Sequence, residues 1–271
     1  MIHFCKMNGA GNDFIVLDNR ELAFALSGDE IARLCHRQFG IGADGLLVVE
    51  PPENGADYRM RYYNADGGEA DMCGNGARCF AKFVNRLEES PRDELSFETR
   101  AGLIRATFPG DYVRVNLSDP FDICIGEEIE VGGETLTVHC LNTGVPHAVV
   151  AVETLGQTDV VGLGAAIRSH PRFAPAGTNV NFMEVLTPGT IAVRTFERGV
   201  EGETLACGTG VVANAIVHHE LTASPSPVSV RVHSGAQLNV DFSRASSGNY
   251  SGVSLTGPAE FVFEGHITKP S

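Results

Sequence analysis

The sequence is poor in lysine and has no long hydrophobic run, and each scarcity excludes a class of protein. Only three of its 20 basic residues are lysines, Lys6, Lys82 and Lys269. Two lie near the chain ends and one beside Phe83, so none has the setting of a Schiff-base lysine and no pyridoxal phosphate is expected. The apolar runs are much shorter than the roughly 20 residues that cross a bilayer, and the first residues lack the regions of a signal peptide. We therefore predict a cytoplasmic protein with no membrane partner.

The charge balance and the cysteine spacing exclude further partners. The 20 Lys and Arg residues face 34 Asp and Glu residues, and the net charge of −14 argues against a nucleic-acid partner. The seven cysteines are odd in number and none are spaced as C-x-x-C, so neither a metal site nor a disulfide framework is predicted. In a reducing cytoplasm they stay free thiols. The ordinary role of any one of them is that of a small buried apolar residue.

Length and residue patterning indicate a protein of two halves that mixes strands and helices. A chain of 271 residues corresponds to one large or two medium domains. Period-2 and β-branched runs predict many strands, and apolar residues at 3–4 spacing predict four helices, at residues 29–39, 75–87, 159–169 and 209–221. The element order of the first half returns in the second. Asp119-Pro120 is a suitable boundary because a proline ends a strand there.

An internal repeat supports the division into halves. Residues Gly68–Gly76 (GEADMCGNG) and Gly202–Gly210 (GETLACGTG) are identical at five of nine positions, at an offset of 134 residues. The same offset, without a gap, aligns two further pairs of segments, Leu46–Glu50 with Val180–Glu184 and Tyr62–Asn64 with Phe196–Arg198. We interpret the halves as homologous and related by a pseudo-twofold axis, each presenting one cysteine, Cys73 or Cys207.

In each half the cysteine precedes Gly-x-Gly and then a predicted helix. A sulfur at a helix N-terminus meets N–H groups and the positive end of the helix dipole, so its pKa is expected below the free value of about 8.5. The same N–H groups can hold a substrate carboxylate. Gly208–Ala213 also fits a loose dinucleotide fingerprint, but Glu201 and Glu203 before it would repel a pyrophosphate. Two such cysteines therefore indicate a site built around a pair of thiols.

Two equivalent thiols suit the inversion of a carbon centre without a cofactor. A thiolate removes the α-proton from one face, and a thiol delivers a proton to the opposite face. Helix N-termini that hold the carboxylate stabilise the carbanion without a metal. His147 and Glu197 are candidates for tuning the thiol pKa, since a protonated histidine favours a thiolate and a carboxylate disfavours it.

At these residues the sequence resembles the diaminopimelate epimerase family. The resemblance is carried by Ala70–Cys79, Glu197–Gly199 and Ala206–Gly210, and it extends from Lys6 to the final predicted strand. It implies an α/β (α+β) fold of two similar, pseudo-twofold-related domains, each a β-barrel-like sheet around a central helix, with the site in the cleft between them. It also implies that the last strand returns to the first domain. On this basis the first domain covers residues 1–118 plus 261–271, and the second covers residues 119–260.

The resemblance further implies roles for individual residues. Cys73 and Cys207 become the catalytic acid–base pair, with His147 and Glu197 tuning their pKa. The small-molecule substrate, LL- or meso-2,6-diaminopimelate of lysine and peptidoglycan precursor synthesis, is expected to bind Asn12, Asn64, Gly74, Asn75, Asn179, Glu197, Arg198, Gly208 and Thr209. A fork-shaped arginine and several amides suit a diamino dicarboxylate. No cofactor and no metal are implied, and a homodimer is expected from the family.

Two positions depart from the family pattern, and two alternatives stay open. Many members have Asn where this chain has Val145 and Gln where it has Gly45, so those two distal contacts are not carried over. The nearest alternative is a proline or hydroxyproline racemase with the same two thiols, although such enzymes usually have His where this chain has Asn75. A thiol redox switch or an amino-acid-binding protein would explain the cysteines but not the set of asparagines with Arg198.

Overall fold

The computed structural model describes residues 1–268 of the chain. The segment 269–271, which the sequence analysis assigns to the first domain, lies outside the described residues. It includes Lys269, one of the three lysines rejected above as Schiff-base candidates. The chain divides into unit 1, Met1–Val115 with Gly257–Ser271, and unit 2, Asn116–Thr256. Both divisions fall a few residues before the predicted ones. In the part of the chain that the structure describes, no helix is long and apolar enough to cross a membrane.

Unit 1 contains a short helix and a long helix among its strands. Its elements are β1 (Ile2–Gly9), β2 (Asn12–Asp18), α1 (Gly28–Cys35), β3 (Gly45–Glu50), β4 (Tyr58–Asn64), β5 (Glu69–Ala70), α2 (Gly74–Leu87), β6 (Glu94–Thr99), β7 (Gly102–Thr107) and β8 (Val113–Asn116). β2 and β3 are parallel, and β3 pairs antiparallel with β4. Helices α1 and α2 pack on this sheet.

The alternation of side chains along the strands explains the two layers of unit 1. On one face of the sheet, residues such as Leu17 pack with α1 through Ile31. The opposite face carries Phe14 and Leu47, and a Cβ added at Gly76 of α2 would lie 3.5 Å and 3.4 Å from these two side chains. Because the sheet is covered on both sides, its strands are apolar on both faces. Most of α2 is buried, which makes it the central helix of the unit.

Unit 2 repeats this plan with its own strands and helices. Its elements are β9 (Phe121–Val131), β10 (Glu134–Asn142), β11 (Pro146–Ala151), α3 (Val160–Arg168), β12 (Asn179–Thr187), β13 (Thr190–Glu197), β14 (Gly202–Thr204), α4 (Gly208–Thr222), β15 (Val228–Arg231), β16 (Gln237–Arg244) and β17 (Tyr250–Gly257). β11 and β12 are parallel, β12 pairs antiparallel with β13, and α3 and α4 pack on these strands. The last strand, β18 (Glu260–Ile267), belongs to unit 1 and pairs antiparallel with β1.

The register of the strands shows where the repeat departs from a constant offset. In unit 1, Leu46 lies opposite Tyr63. In unit 2, Val180 lies opposite Phe196. Tyr63 therefore corresponds to Phe196 and not to Glu197, so the ungapped alignment of these strands is wrong by one residue. A shift of one residue moves every side chain of a strand to the other face, so the difference decides which residues approach the central helix.

The mixed α/β fold is confirmed, with a central helix in each unit. Helices α2, α3 and α4 begin and end within one residue of their predicted bounds. The prediction for α1 is wrong at its C-terminus, since the helix ends at Cys35 instead of residue 39. The chain turns there because the N–H of Gly40 donates to the carbonyl of His36, and Arg37 is held outward by Asp13.

Candidate active site

Each candidate cysteine is the residue immediately before a buried helix. Cys73 precedes α2 with φ and ψ of −135° and 122°, and Cys207 precedes α4 with −118° and 110°, so both have the extended backbone of an N-cap. Neither sulfur makes the usual capping hydrogen bond, and neither first turn contains an acidic residue. Each cysteine therefore stands at the positive end of a helix dipole that no acid of the first turn offsets.

In unit 1 a directed chain of hydrogen bonds holds Asn12 beside the start of α2. Arg78 donates to Oδ1 of Asn75 at 2.8 Å, and since a guanidinium only donates, the orientation of that amide is fixed. Nδ2 of Asn75 then donates to Oδ1 of Asn12. Nδ2 of Asn12 donates in turn to the carboxylate of Asp44 at 3.1 Å. Asn12 is thus positioned from both ends of its amide.

Charged residues anchor the outer end of this chain. Arg37 donates to Asp13 at 2.9 Å and to Asp44 at 2.7 Å. Lys6 donates to Asp13 at 2.6 Å and also to the carbonyl of Gly42. Burial would raise the pKa of Asp13, but the hydrogen bonds from Arg37 and Lys6 outweigh it and hold that pKa well below its usual range. Asp13 therefore stays ionised far into the acid range.

Arg78 carries a positive charge into the interior of unit 1. Its side chain is fully buried and donates to the carbonyl oxygens of Gly74 and Pro258, both at 3.3 Å, in addition to Asn75. Burial lowers the pKa of Arg78 to about 10, so the group remains protonated near neutral pH. Because its three hydrogen-bond acceptors are uncharged, the charge adds to the positive potential at the start of α2.

Tyr62 fills the space beside Gly45 and orients Asn64. A Cβ at Gly45 would lie 2.8 Å from the Tyr62 ring and 2.7 Å from the carbonyl oxygen of Tyr63, so only glycine fits there. The Tyr62 hydroxyl donates to Oδ1 of Asn64 at 2.9 Å. Its ring also packs edge-on against Phe14. The ring of Tyr62 therefore occupies the space that a side chain at position 45 would take.

In unit 2 a chain of polar side chains leads from β13 to Cys207. Its four links are Thr195 Oγ1 to Asn181 Oδ1 at 2.9 Å, Asn181 Nδ2 to His147 Nδ1 at 3.1 Å, His147 Nε2 to Thr209 Oγ1 at 3.0 Å, and Thr209 Oγ1 to Cys207 Sγ at 3.5 Å. A Cβ at Gly210 would lie 2.5 Å from Asn181 Oδ1 and 3.4 Å from the sulfur. Glycine at this position therefore lets α4 approach the chain of polar groups.

His147 is neutral in its buried position. Burial, together with the positive charge of Arg198, lowers the pKa of His147 to about 3. At neutral pH the histidine therefore carries no charge with which to favour a thiolate. Any influence of His147 on Cys207 passes through hydrogen bonds.

Asn179 and the Glu197–Arg198 pair meet at the ends of neighbouring strands. Asn179 begins β12, is buried, and lies opposite His147 in the register with β11. Its Nδ2 donates to the carbonyl of Pro146 at 3.4 Å, and its Oδ1 accepts the backbone N–H of Arg198 at 2.9 Å. Glu197 is the last residue of β13 and is partly buried. Asn179 thus links the start of β12 to the residue after β13, and its neighbour in the register, His147, contacts Thr209 in the first turn of α4.

The matches to known proteins agree with these motifs. The sequence profile of diaminopimelate epimerase matches residues 4–120 and 139–262. The chain belongs to the diaminopimelate epimerase family. It is 43% identical over 265 residues to the diaminopimelate epimerase of Chlorobaculum tepidum, which covers 97% of this chain and 100% of that protein. It is 40% identical over 282 residues to that of Aquifex aeolicus, with 99% and 98% covered. Membership of this family makes the chain an isomerase of the epimerase type.

Solved structures resemble this diaminopimelate epimerase family member in fold. A phenazine biosynthesis protein of the PhzF family from Bacillus anthracis has a TM-score of 0.77 at 17% identity, covering 98% of this chain and 99% of that one. A probable proline racemase from Agrobacterium radiobacter has a TM-score of 0.74 at 17% identity, covering 99% and 93%. At such low identity the likeness concerns the fold alone, so the racemase alternative has only a distant structural likeness behind it.

One group of possible metal ligands is found among residues 1–268, away from the diaminopimelate epimerase motifs. His3, Cys5 and Glu264 have ligand atoms within 4.8 Å of one another. Arg86 lies 2.7 Å from the sulfur of Cys5 and 3.1 Å from the carboxylate of Glu264. The guanidinium therefore already occupies the place that a cation would take.

The sequence does not predict four residues that hold the candidate site residues in place: Asp44, Arg78, Asn181 and Thr195. Asn181 offered a signal, because it is a polar residue inside an apolar strand, between Val180 and Phe182. Arg78 lies in the motif quoted above, but only the structure shows that it is buried. Thr195 and Asp44 have no distinguishing sequence context, since both act through partners distant along the chain.

Proposed function

We propose that the protein interconverts LL- and meso-2,6-diaminopimelate without a cofactor, in lysine and peptidoglycan precursor synthesis, with Cys73 and Cys207 as its acid–base pair. The observation that carries the proposal is the matched position of the two cysteines. In a chain of the diaminopimelate epimerase family, each unit has a cysteine as the N-cap of its central helix. Two sulfurs in equivalent settings have the similar acidity that proton exchange in both directions requires.

The reaction exchanges one proton for another at the α-carbon. The thiolate takes the α-proton of the substrate and becomes a thiol. The other thiol gives its proton to the opposite face of the carbanion and becomes a thiolate. No electron is gained or lost, and the enzyme leaves each turnover with the protonation states of Cys73 and Cys207 exchanged.

The carbanion is stabilised by fixed positive potential. The helix starts at Gly74-Asn75 and Gly208-Thr209 direct N–H groups and the positive dipole end toward a bound carboxylate. The buried charge of Arg78 adds to this potential in unit 1. Groups held in place before the reaction stabilise developing charge without reorganising during it.

The distal end of the substrate is bound by polar side chains that the fold already orients. Arg198 pairs with the distal carboxylate as a two-pronged donor, and Glu197 pairs with the distal ammonium. Asn12, Asn64 and Asn179 complete the set, each with an amide held by the neighbours described above. A substrate without the distal group leaves these atoms unpaired. We therefore expect its kcat/KM to be about 10⁴–10⁵ times lower than that of diaminopimelate.

The proposal is tested by incubating the protein with LL-diaminopimelate in deuterated water. We expect the meso isomer to form with one deuterium at the inverted α-carbon, as measured by chiral separation and mass spectrometry. L-proline and L-alanine serve as control substrates and should acquire deuterium several orders of magnitude more slowly. Folded protein that leaves diaminopimelate unlabelled, or that labels proline as fast, would overturn the proposal.

We also propose that the enzyme works as a cytoplasmic homodimer. The support is the family resemblance for the dimer and, for the location, the free thiols that a reducing compartment preserves. Light scattering of the purified protein should give twice the chain mass of 28.9 kDa.

A further inference from the structure

We propose that Cys124 and Cys140, on neighbouring strands of unit 2, form a reversible disulfide by exchange with a small-molecule disulfide, and that this bond pins β9 to β10. Both residues are free thiols in the structure. Neither takes part in the proposed reaction, so the inference goes beyond the proposed function. It rests on the register of the two strands, on the bulges that interrupt that register, and on the different exposure of the two thiols.

The register of β9 and β10 places the two cysteines directly opposite each other. Cys140 pairs with Cys124 in the antiparallel ladder. Opposite residues in such a ladder have Cα atoms about 4.5 or 5.5 Å apart, and a disulfide joins residues whose Cα atoms are about 4.4–6.8 Å apart. Opposite residues also project from the same face of the sheet. The backbone positions of this pair therefore suit the bond.

A bulge in β9 brings Cys124 onto the face that Glu127 occupies. In a regular strand, residues three apart project from opposite faces, so the sheet would separate these two side chains. Between the cysteine pair and the next pair, Val138 with Glu127, β9 advances by three residues while β10 advances by two. Gly126 lies in this stretch with φ of 80°, and its N–H donates to Nδ1 of His139 at 3.1 Å. The extra residue restores a common face.

The side-chain contacts agree that both sulfurs lie on one face. The thiol of Cys124 donates to Oε2 of Glu127 at 3.8 Å. Glu127 shares its face with Ile129, and Ile129 belongs to the same apolar cluster as Cys140. Arg172 donates to Glu127 at 3.0 Å, and its positive charge acts on both thiols. The two cysteines, the carboxylate and the guanidinium thus form one cluster.

A second bulge isolates the cysteine pair in the ladder. From the cysteines to the pair Asn142 with Phe121, β9 again advances by one residue more than β10. Asp122 lies in this stretch with φ of 53°, in the left-handed region. In the register of the described strands, the cysteine pair is then the one link between the two bulges. Because a bulge interrupts the ladder, a covalent bond at this pair holds a length of β9 that hydrogen bonds hold weakly.

The different exposure of the two thiols determines the order of the exchange. Cys124 is exposed and Cys140 is buried, so a disulfide RSSR meets Cys124 first. The Cys124 thiolate attacks one sulfur of RSSR, breaks its S–S bond and leaves a mixed disulfide, and the departing RSH takes up the proton that Cys124 lost. The Cys140 thiolate then attacks Sγ of Cys124 and releases the second RSH, which takes up the Cys140 proton. Two electrons pass from the cysteine pair to RSSR.

The exchange is reversible, and the surroundings favour the dithiol at rest. Burial raises the pKa of the Cys140 thiol to about 11. Little of its thiolate is therefore present near neutral pH, which slows the second step. Excess RSH reverses both steps. In a reducing compartment the pair stays reduced until a disulfide oxidant accumulates.

The test adds oxidised glutathione to the dilute, reduced protein without substrate. Samples are blocked with N-ethylmaleimide at intervals, and peptide mass spectrometry identifies every disulfide. We expect glutathione on Cys124 first and a bond between Cys124 and Cys140 afterwards. Excess reduced glutathione should return both residues to free thiols.

Three variants examine the two steps. Cys140→Ala should keep glutathione on Cys124, because no second thiol displaces it. Cys124→Ala should leave Cys140 unmodified, because the buried sulfur does not meet the oxidant. Cys35→Ala is the matched control, since it removes a buried cysteine of unit 1 and should form the bond as the unmodified protein does.

Hydrogen exchange of residues 121–131 measures whether the bond pins β9. A disulfide that closes a loop restricts the opened states of the segment it joins. We expect backbone exchange in β9 to be about tenfold to hundredfold slower in the oxidised protein than in the reduced protein. Cys124→Ala treated with the same oxidant should show no such change.

Three results would overturn the proposal. One is glutathione that stays on Cys124 of the unmodified protein while Cys140 remains free. Another is a bond from Cys124 to a different cysteine or to a second chain. The third is unchanged exchange in β9 after the bond has formed. None of these measurements uses diaminopimelate, so their outcome is independent of the experiment that tests the proposed function.

Discussion

At the scale of single residues, the cysteines occupy positions that usually go to other side chains. Ser, Thr, Asp and Asn are preferred at an N-cap because their oxygen accepts a first-turn N–H, and replacing them with alanine costs about 1 kcal/mol. Ser27 of α1 makes such a capping box with Glu30. Cys73 and Cys207 make no capping bond with their sulfurs. The central helices thus forgo a small stabilisation at the positions where the proposed reaction needs a thiol.

Replacing either cysteine should therefore abolish epimerisation while leaving the fold intact. In Cys73→Ala or Cys207→Ala one face of the substrate loses its proton carrier, and general acid–base groups contribute about 10²–10⁴ each. Chiral chromatography of diaminopimelate should show a loss of at least a hundredfold in each variant. Cys124→Ala changes an exposed cysteine and should keep full activity. Activity within tenfold of the unmodified enzyme in either single variant would contradict the two-thiol mechanism.

The sequence identifies residues whose motif is local and misses residues whose partners are distant. Cys73 and Cys207 are recognisable because Gly-x-Gly and a helix follow each of them directly. Asn181 and Thr195 meet only because β12 and β13 pair in one particular register, and hydrophobic periodicity does not determine register. The neutrality of His147 is equally invisible in the sequence, since it results from burial by several strands.

At the scale of elements, β1 and α2 approach each other closely at one glycine. A Cβ at Gly9 would lie 2.7 Å from the carbonyl oxygen of Asn75 and 3.0 Å from the sulfur of Cys79. Both atoms belong to α2, and the first is backbone in the turn that follows Cys73. Any side chain at Gly9 must push the start of this helix away from the strand.

Gly9→Ala should consequently reduce both stability and activity. Overpacking of this kind costs about 1–3 kcal/mol of unfolding free energy, which urea denaturation measures. Activity should fall as well, because the displaced turn carries Cys73 and Asn75. Gly156→Ala is the control, since nothing lies within 4 Å of a Cβ there, and we expect a change below about 0.5 kcal/mol. Equal behaviour of the two variants would show that the contact at Gly9 is unimportant.

Elements are predictable from sequence to the extent that their signals are local. The sequence locates the central helices to within one residue because the Gly-x-Gly that follows each cysteine forms the first turn and apolar residues recur at helical spacing after it. It does not locate the end of α1, where the N–H of Gly40 closes a turn on His36 and Arg37 pairs with Asp13, which is distant in sequence. The one-residue shift between β4 and β13 also escaped prediction, because the lengths of the two hairpin connections differ.

At the scale of the whole molecule, the two units contain groups that respond to acid at different pH. In unit 2, His147 has a pKa of about 3 when folded, against 6.5 for an unburied histidine. The unfolded chain binds the extra proton first, so stability is lost as the pH falls from 6.5 toward 3. In unit 1, the lowered pKa of Asp13 gives stability that is present above about 3.8 and is lost below it.

Unit 2 should therefore lose stability before unit 1 on acidification. Protonation of the unfolded chain at His147 alone should lower the free energy of unfolding by about 1.4 kcal/mol per pH unit between pH 6 and 4. Burial also lowers the pKa of His139 and His218, so both act in the same direction. Hydrogen exchange followed by mass spectrometry, corrected for the intrinsic effect of pH, resolves the two units. We expect peptides of unit 2 to lose protection between pH 6 and 4 while those of unit 1 keep it. Loss of protection in both units at the same pH would contradict the assignment.

The pairing of β1 with β18 determines the order in which the chain can fold as it leaves the ribosome. β1 is made early, whereas its neighbour β18 follows only after all of unit 2 has been synthesised. Unit 2 is one continuous segment, so it can complete its core while β1 still has an open edge. An unpaired edge with buried apolar residues such as Phe4 and Met7 is prone to associate with other chains. During translation this edge of β1 therefore stays open to other chains until β18 has been made.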